Sequence, residues 1–196
     1  MSNAKRSLGP QSLLYPEPAF LIASYAADGK PNVMTAAWGG ICSSDPLSLS
    51  VSIRPSRLSH ESILQRKAFT VNIASEEMMI GMDFVGIVSG RKFDKFAKTG
   101  WTAVKSEKVD APYIGESPVI LECRLSQTVE IGAHTMFIGE ILDVKADRRC
   151  FDADGSFPDM EKIKPLIFDS GSKNYYGIGK PLGRGFSCEK ELIEKE

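Results

Sequence analysis

The sequence predicts a mainly β protein, an antiparallel barrel closed or nearly closed on itself, with a few flanking helices. Three observations carry that expectation. Apolar stretches of strand length dominate the chain, they follow one another in hairpin-like succession, and only two short segments carry helix signals. A doubly wound parallel sheet would instead need a helix between most strands.

Ala19 to Ala26 (AFLIASYA) is rich in apolar residues and closes in Asp28-Gly29-Lys30-Pro31, whose Asp-Gly pair is a strong turn signal. Asn32 to Trp38 resumes a strand, so the two read as a hairpin. In Leu47 to Ile53 (LSLSVSI) leucine, valine and isoleucine alternate with serine, the period of two expected of a strand with one face in the core. Ser59 suits the N-cap of a helix running to Lys67, with Glu61 at the positive end of the dipole. Ala68 to Ala74 (AFTVNIA) is a further strand, and Ser75-Glu76-Glu77 opens a second helix toward Val88. Val119 to Ile131 and Thr135 to Ala146 are long strands joined by Gly132-Ala133-His134. No repeat, low-complexity tract or linker divides the chain, so one domain over residues 1–196 is expected, with 1–12 a flexible N-terminal segment. Met1-Ser2-Asn3-Ala4 partly resembles an expression-tag remnant and carries no functional weight.

The 196 residues hold 24 Lys and Arg against 25 Asp and Glu, a formal charge of −1, which argues against nucleic acid or an anionic membrane as an electrostatic partner. With 42% hydrophobic and 25% charged residues the chain reads as soluble and globular. No apolar run approaches the roughly 20 residues that cross a bilayer, and no signal-peptide pattern opens the chain, so a cytoplasmic location is expected. Cys42, Cys123, Cys150 and Cys188 are far apart, with no C-x-x-C pair and only His60 and His134 to join them. That spacing argues against zinc, iron-sulfur or a disulfide framework.

The motifs of several enzyme classes are missing. There is no G-x-x-x-x-G-K-[ST], no G-x-G-x-x-G and no G-x-S-x-G, and the late Gly177-Ile178-Gly179 and Gly183-Arg184-Gly185 read as flexible loop. Chemistry could sit in three segments. Asn32 to Gly40 combines Met34, Thr35, Ala36, Ala37 and Trp38, small residues and one flat ring that suit a planar ligand; Trp38 as a core aromatic is the competing reading. Arg54-Pro55-Ser56-Arg57-Leu58-Ser59 brings two guanidinium groups, two hydroxyls and a helix N-terminus together, each favouring an anionic oxygen, against which stands a solvated loop. Ser89 to Phe96 is a basic turn able to lean over an anion, or simply solvated charge. His134 is a turn residue or, titrating near neutral pH, a proton donor.

Taken in order, N-x-M-T-A-A-W, S-S-D-P with its period-two strand, I-R-P-S-R-L-S, A-F-T-V-N, S-G-R-K-F-D-K-F and G-A-H-T-M-F-I-G-E resemble the flavin reductase-like family that includes flavoredoxins. The resemblance runs from about Pro18 to Gly177. It implies an FMN-binding split barrel, a six-stranded antiparallel Greek-key barrel with flanking helices, working as a homodimer with FMN near the subunit interface. By the same resemblance Met34, Thr35, Ala36, Ala37 and Trp38 lie beside the isoalloxazine ring, and Ser43 and Ser44 near its polar edge. Arg54, Ser56, Arg57 and Ser59 lie at the FMN phosphate, and Lys92, Asp94 and Lys95 near the flavin. His134 takes the place associated with the nicotinamide end, although Ala133 stands where the family carries an Asp. Tyr175 and Tyr176 match a tail pattern that reaches toward the partner subunit's flavin. The implied function is an FMN-dependent oxidoreductase taking hydride from NADH or NADPH. The alternatives are a flavoredoxin-type carrier exchanging electrons with a redox partner protein, and a non-catalytic binding barrel.

Overall fold

A computed structural model of the chain describes residues 4–153 and 155–186. The strands are β1 (Glu17–Pro18), β2 (Phe20–Tyr25), β3 (Pro31–Ala36), β4 (Gly39–Ser44), β5 (Leu47–Ile53), β6 (Ala68–Ile73), β7 (Ala103–Lys105), β8 (Pro112–Ile114), β9 (Val119–Ile131), β10 (His134–Ala146), β11 (Ile167–Asp169) and β12 (Asn174–Tyr176). The helices are α1 (Leu58–Arg66), α2 (Met79–Ile87), α3 (Lys95–Thr99) and α4 (Met160–Ile163). Seven strands form one antiparallel ladder in the order β3-β2-β6-β9-β10-β5-β4. Small sheets of β1-β11-β12 and β7-β8 accompany it.

That order forces the sheet to curl. β3 and β4 lie at opposite edges of the ladder, yet Ala36 and Gly39 are separated only by Ala37 and Trp38. Three residue steps of extended chain reach about 11 Å at most, so the two edges must meet. A hydrogen bond from the Ser52 amide to the Trp38 carbonyl (2.9 Å) fastens the meeting point. The result is a mainly β split barrel. Six strands supply its interior, and β4 adds a seventh rung at the edge that the sequence did not announce.

Alternation explains why AFLIASYA is apolar throughout. Ile22, Met34, Val51, Phe69, Cys123 and Phe137 point inward, with Ile63 of α1 among them. Leu21, Ala23 and Val33 point outward and are covered by Met82 and Val85 of α2, Phe96 of α3 and Ile114 of β8. Both faces of the β2–β3 hairpin are therefore buried, whereas Leu47–Ile53 has one mainly apolar face, as its alternation predicts.

Several local expectations are corrected. Ser59 does not cap α1. Arg57 holds the N-cap position with no side-chain cap bond, and Ser59 is buried with its Oγ accepting from Asn32 Nδ2 at 2.9 Å. Ser75 likewise caps with no side chain, and the segment after it starts as a 3-10 turn, Glu76–Met78, before α2. The Ser89–Phe96 stretch is a turn only as far as Asp94, whose carboxylate accepts from the Ala97 amide (3.0 Å) and starts α3. His134 is the first residue of β10, paired with Ile131, rather than part of the turn. Cys42, Cys123 and Cys150 are free, and Cys188 lies outside the described residues. No helix among the described residues is long and apolar enough to cross a membrane.

Candidate functional site

Strand β3 ends the ladder on one side, so one edge of its backbone has no strand partner among the described residues, and α2 and α3 meet only part of it. Two cavities lie along it and share Met34, Arg54 and Arg57. The first, about 150 Å³, is lined by Asn32, Ser56, Ser59 and Lys95 besides those three. The second, about 260 Å³, is lined by Thr35, Ala36, Ala37, Trp38 and His134, with Glu17, Phe168 and Lys173 opposite. Together they make one groove that follows the strand from Asn32 to Trp38.

The first cavity is cationic by construction. Lys95 is only 4% exposed, and its Nζ donates to the carbonyls of Val33 and Val85, both at 2.7 Å. Burial, and secondarily the Arg57 guanidinium, lower its pKa to about 8. Among the described residues none of the three cations Arg54, Arg57 and Lys95 has a carboxylate partner. The first turn of α1, with no side-chain cap, opens beside them. Gly90 closes the wall at a distance that tolerates no side chain, because a Cβ there would lie 2.0 Å from Asn32 Oδ1. Cations beside a helix N-terminus with no carboxylate next to them fit a phosphate.

The second cavity is flat-walled. Trp38 is 43% exposed and packs on the His134 ring at 5.0 Å between centroids, tilted by 47°. Arg54 Nε donates to His134 Nε2 at 3.4 Å. Met34 and Ala36 also belong to the barrel interior, and the Thr35 hydroxyl is spent on the Met82 carbonyl of α2.

The predicted residues thus separate. Met34 to Trp38, Arg54, Ser56, Arg57, Ser59, Lys95 and His134 converge on the groove. Ser43 and Ser44 lie on β4 and line neither cavity; Ser43 Oγ accepts from the Asp45 amide at 3.2 Å. Lys92 and Asp94 line neither of these two cavities but a neighbouring one of about 510 Å³ that shares Asn32, Leu58 and Gly90 with the first. Tyr175 stands behind the groove, its ring 5.3 Å from that of Phe168 and its hydroxyl donating to Asp83 (3.1 Å), while Tyr176 is half exposed on β12. Burial, then the Asp83 carboxylate, push the Tyr175 pKa up to about 12. The sequence reading missed Asn32 and Glu17. The only local signal for Glu17 is an acid held between Pro16 and Pro18.

The model of the flavin reductase like domain matches residues 12–175. The chain belongs to the flavin reductase-like family. Among solved structures this family member is similar to the flavoredoxin of Desulfovibrio vulgaris (Miyazaki F), 46% identical, with a TM-score of 0.90 over 94% of this chain and 99% of that one. A flavoredoxin from Methanosarcina acetivorans is 27% identical, with a TM-score of 0.88 over 96% of this chain and all of that one. An uncharacterized protein of Archaeoglobus fulgidus is 42% identical over 131 residues, 67% of this chain and 73% of its own length. In this flavin reductase-like chain a flavin can be held by the groove as built: an anion corner at one end and a flat wall at the other.

Proposed function

We propose that the protein is an FMN-dependent oxidoreductase that takes up hydride or electrons at FMN held in the β3 groove. The observation that carries this reading is the joining of a cationic corner without a carboxylate partner (Arg54, Arg57, Lys95) to a cavity of about 260 Å³ lined by Trp38 and His134 along one strand edge. The 5′-phosphate end of FMN suits the corner, and the flavin supplies hydride and one-electron chemistry once bound. The chain's own task is then to bind and orient. Trp38 and His134 limit how a planar group can lie, the edge of β3 without a strand partner offers backbone polar groups, and Arg54 helps orient the imidazole of His134. No activated nucleophile is needed, in agreement with the missing catalytic motifs. A nicotinamide donor, NADH or NADPH, would reach the ring from the open side of the groove. The near-neutral charge of the chain and its lack of a spanning helix among the described residues agree with a cytoplasmic place for this activity.

A second reading, an electron carrier serving a redox partner protein, is favoured by the 46% identity to a flavoredoxin. Visible absorption separates the readings. Protein loaded with FMN is expected to be yellow, and prompt bleaching on mixing with NADH or NADPH marks a reductase, whereas a colour that persists marks a carrier. Arg57→Ala combined with Ser59→Ala is expected to weaken FMN binding by about 10-fold or more, the scale of one lost charge-assisted bond, read by quenching of FMN fluorescence. Unchanged affinity would remove the phosphate assignment.

A further inference from the structure

Two residues of the groove, Asn32 and Glu17, each bury a side-chain oxygen with no hydrogen-bond partner among the described residues, and Glu17 is the one at the Trp38 end. It lies on β1 between two prolines, is 2% exposed, and lines both the second cavity and a neighbouring cavity of about 360 Å³ that continues past Trp38 beneath Leu13 and Leu14. Its Oε2 is buried with no hydrogen-bond partner among the described residues. The ammonium on the same wall, Lys173, lies 5.9 Å from the centre of the Phe168 ring and forms no ion pair among the described residues. A carboxylate oxygen taken out of water without a donor carries a desolvation cost that a donor on a bound ligand would remove.

The position of Glu17 says what would complement it. The groove is cationic at the Asn32 end and flat along its middle, and at the Trp38 end it presents an acceptor with nothing to accept. A ligand matching all three has an anionic tail, a planar body and an N–H donor on the far edge. We propose that Glu17 is the acceptor for an amide or imide N–H carried by the planar ligand that lies along Met34–Trp38. The proposal rests on the reading that the groove holds FMN. The N–H belongs either to the imide edge of the flavin or to the carboxamide of a nicotinamide donor.

The test compares full-length wild type with Glu17→Leu, which keeps bulk and removes the acceptor, and with Glu17→Gln, which keeps shape and an acceptor oxygen. Each is titrated by fluorescence with FMN and with N3-methyl-FMN, which lacks the imide proton. If the flavin supplies the donor, Glu17→Leu weakens FMN on the order of 10-fold, leaves N3-methyl-FMN unchanged, and Glu17→Gln recovers most of the loss. If the carboxamide supplies it, the flavin affinities stay equal while Glu17→Leu weakens binding of the oxidised nicotinamide nucleotide to the FMN-loaded protein by a similar factor. Flavin-free Glu17→Leu is expected to melt no lower than wild type, since an unpaired buried carboxylate is removed. Unchanged affinity for flavins and nicotinamide alike overturns the assignment, as does a lower melting temperature with unchanged binding, which would mark a structural role. A wild type that binds no FMN overturns the flavin reading itself, a result separable from either.

Discussion

Lys95 shows how much a single side chain can conceal. In the sequence it is one of several basic residues in S-G-R-K-F-D-K-F, no different in kind from Lys92. In the fold Lys92 is exposed, and Lys95 is buried between the Val33 and Val85 carbonyls with its pKa lowered to about 8 by desolvation and then by Arg57. Folding therefore has a definite pH signature at this residue. Between about pH 8 and the ordinary lysine value of 10.5 the unfolded chain binds more protons than the native one, so stability rises with pH across that window. Below it both states carry the charge and the cost of burying it is fully present. The flavin-free wild type should gain thermal stability over that range relative to Lys95→Met, and FMN affinity should fall as pH passes about 8 in the wild type but not in the variant. Melting scans and flavin titrations at several pH values check both, and parallel profiles for the two proteins would refute the assignment. Ser59 makes the converse point. The sequence reads it as a helix cap, because it could not show that Asn32, 27 residues earlier, would arrive to claim the hydroxyl.

Among the elements, the strands with strong patterns were legible. Leu47–Ile53 has the bounds its alternation predicts, and the Asp-Gly turn joins β2 to β3 as expected. The elements that escaped notice are those whose stability is not local. GGICSS carries little β propensity and becomes β4 only because β5 is there to pair with it. The helix α3 has five residues, too few to hold alone, and survives through the Asp94 cap and the burial of Lys95 and Phe96. The turn from β3 into β4 depends on one glycine. A Cβ on Gly39 would sit 2.4 Å from the Ser50 carbonyl oxygen and 3.3 Å from the Phe20 ring. Gly39→Ala should therefore cost about 1–3 kcal/mol in chemical denaturation and displace the Trp38 wall of the groove, so that flavin binding weakens too. A variant as stable as wild type would show that the barrel seam is looser than this contact implies.

The whole molecule is held together by its closed sheet, and what remains exposed points to assembly. Trp38, Ile41 and Leu47, exposed by 43%, 68% and 56%, lie on or beside β4. Exposed apolar groups beside an unpaired strand edge are what an interface between copies would cover. A homodimer is accordingly predicted, with sedimentation at micromolar concentration giving a species of twice the 21.5 kDa chain mass. Ile41→Lys should shift that species toward monomer. A wild type that sediments as a monomer would remove the dimer from the picture.

By itself the sequence determined the fold class, the major strands, and the two segments, Met34 to Trp38 and Arg54 to Ser59, that line the groove, because each of these follows from short-range periodicity and from residue chemistry within ten positions. It could not determine which basic residues share a cavity, that Ser43 and Ser44 stand apart from it, or that a carboxylate near the N-terminus faces Trp38. Those facts depend on the meeting of the two sheet edges and on which side chains lose their water when they meet. Desolvation and long-range pairing are properties of the closed barrel, and no window of sequence contains them.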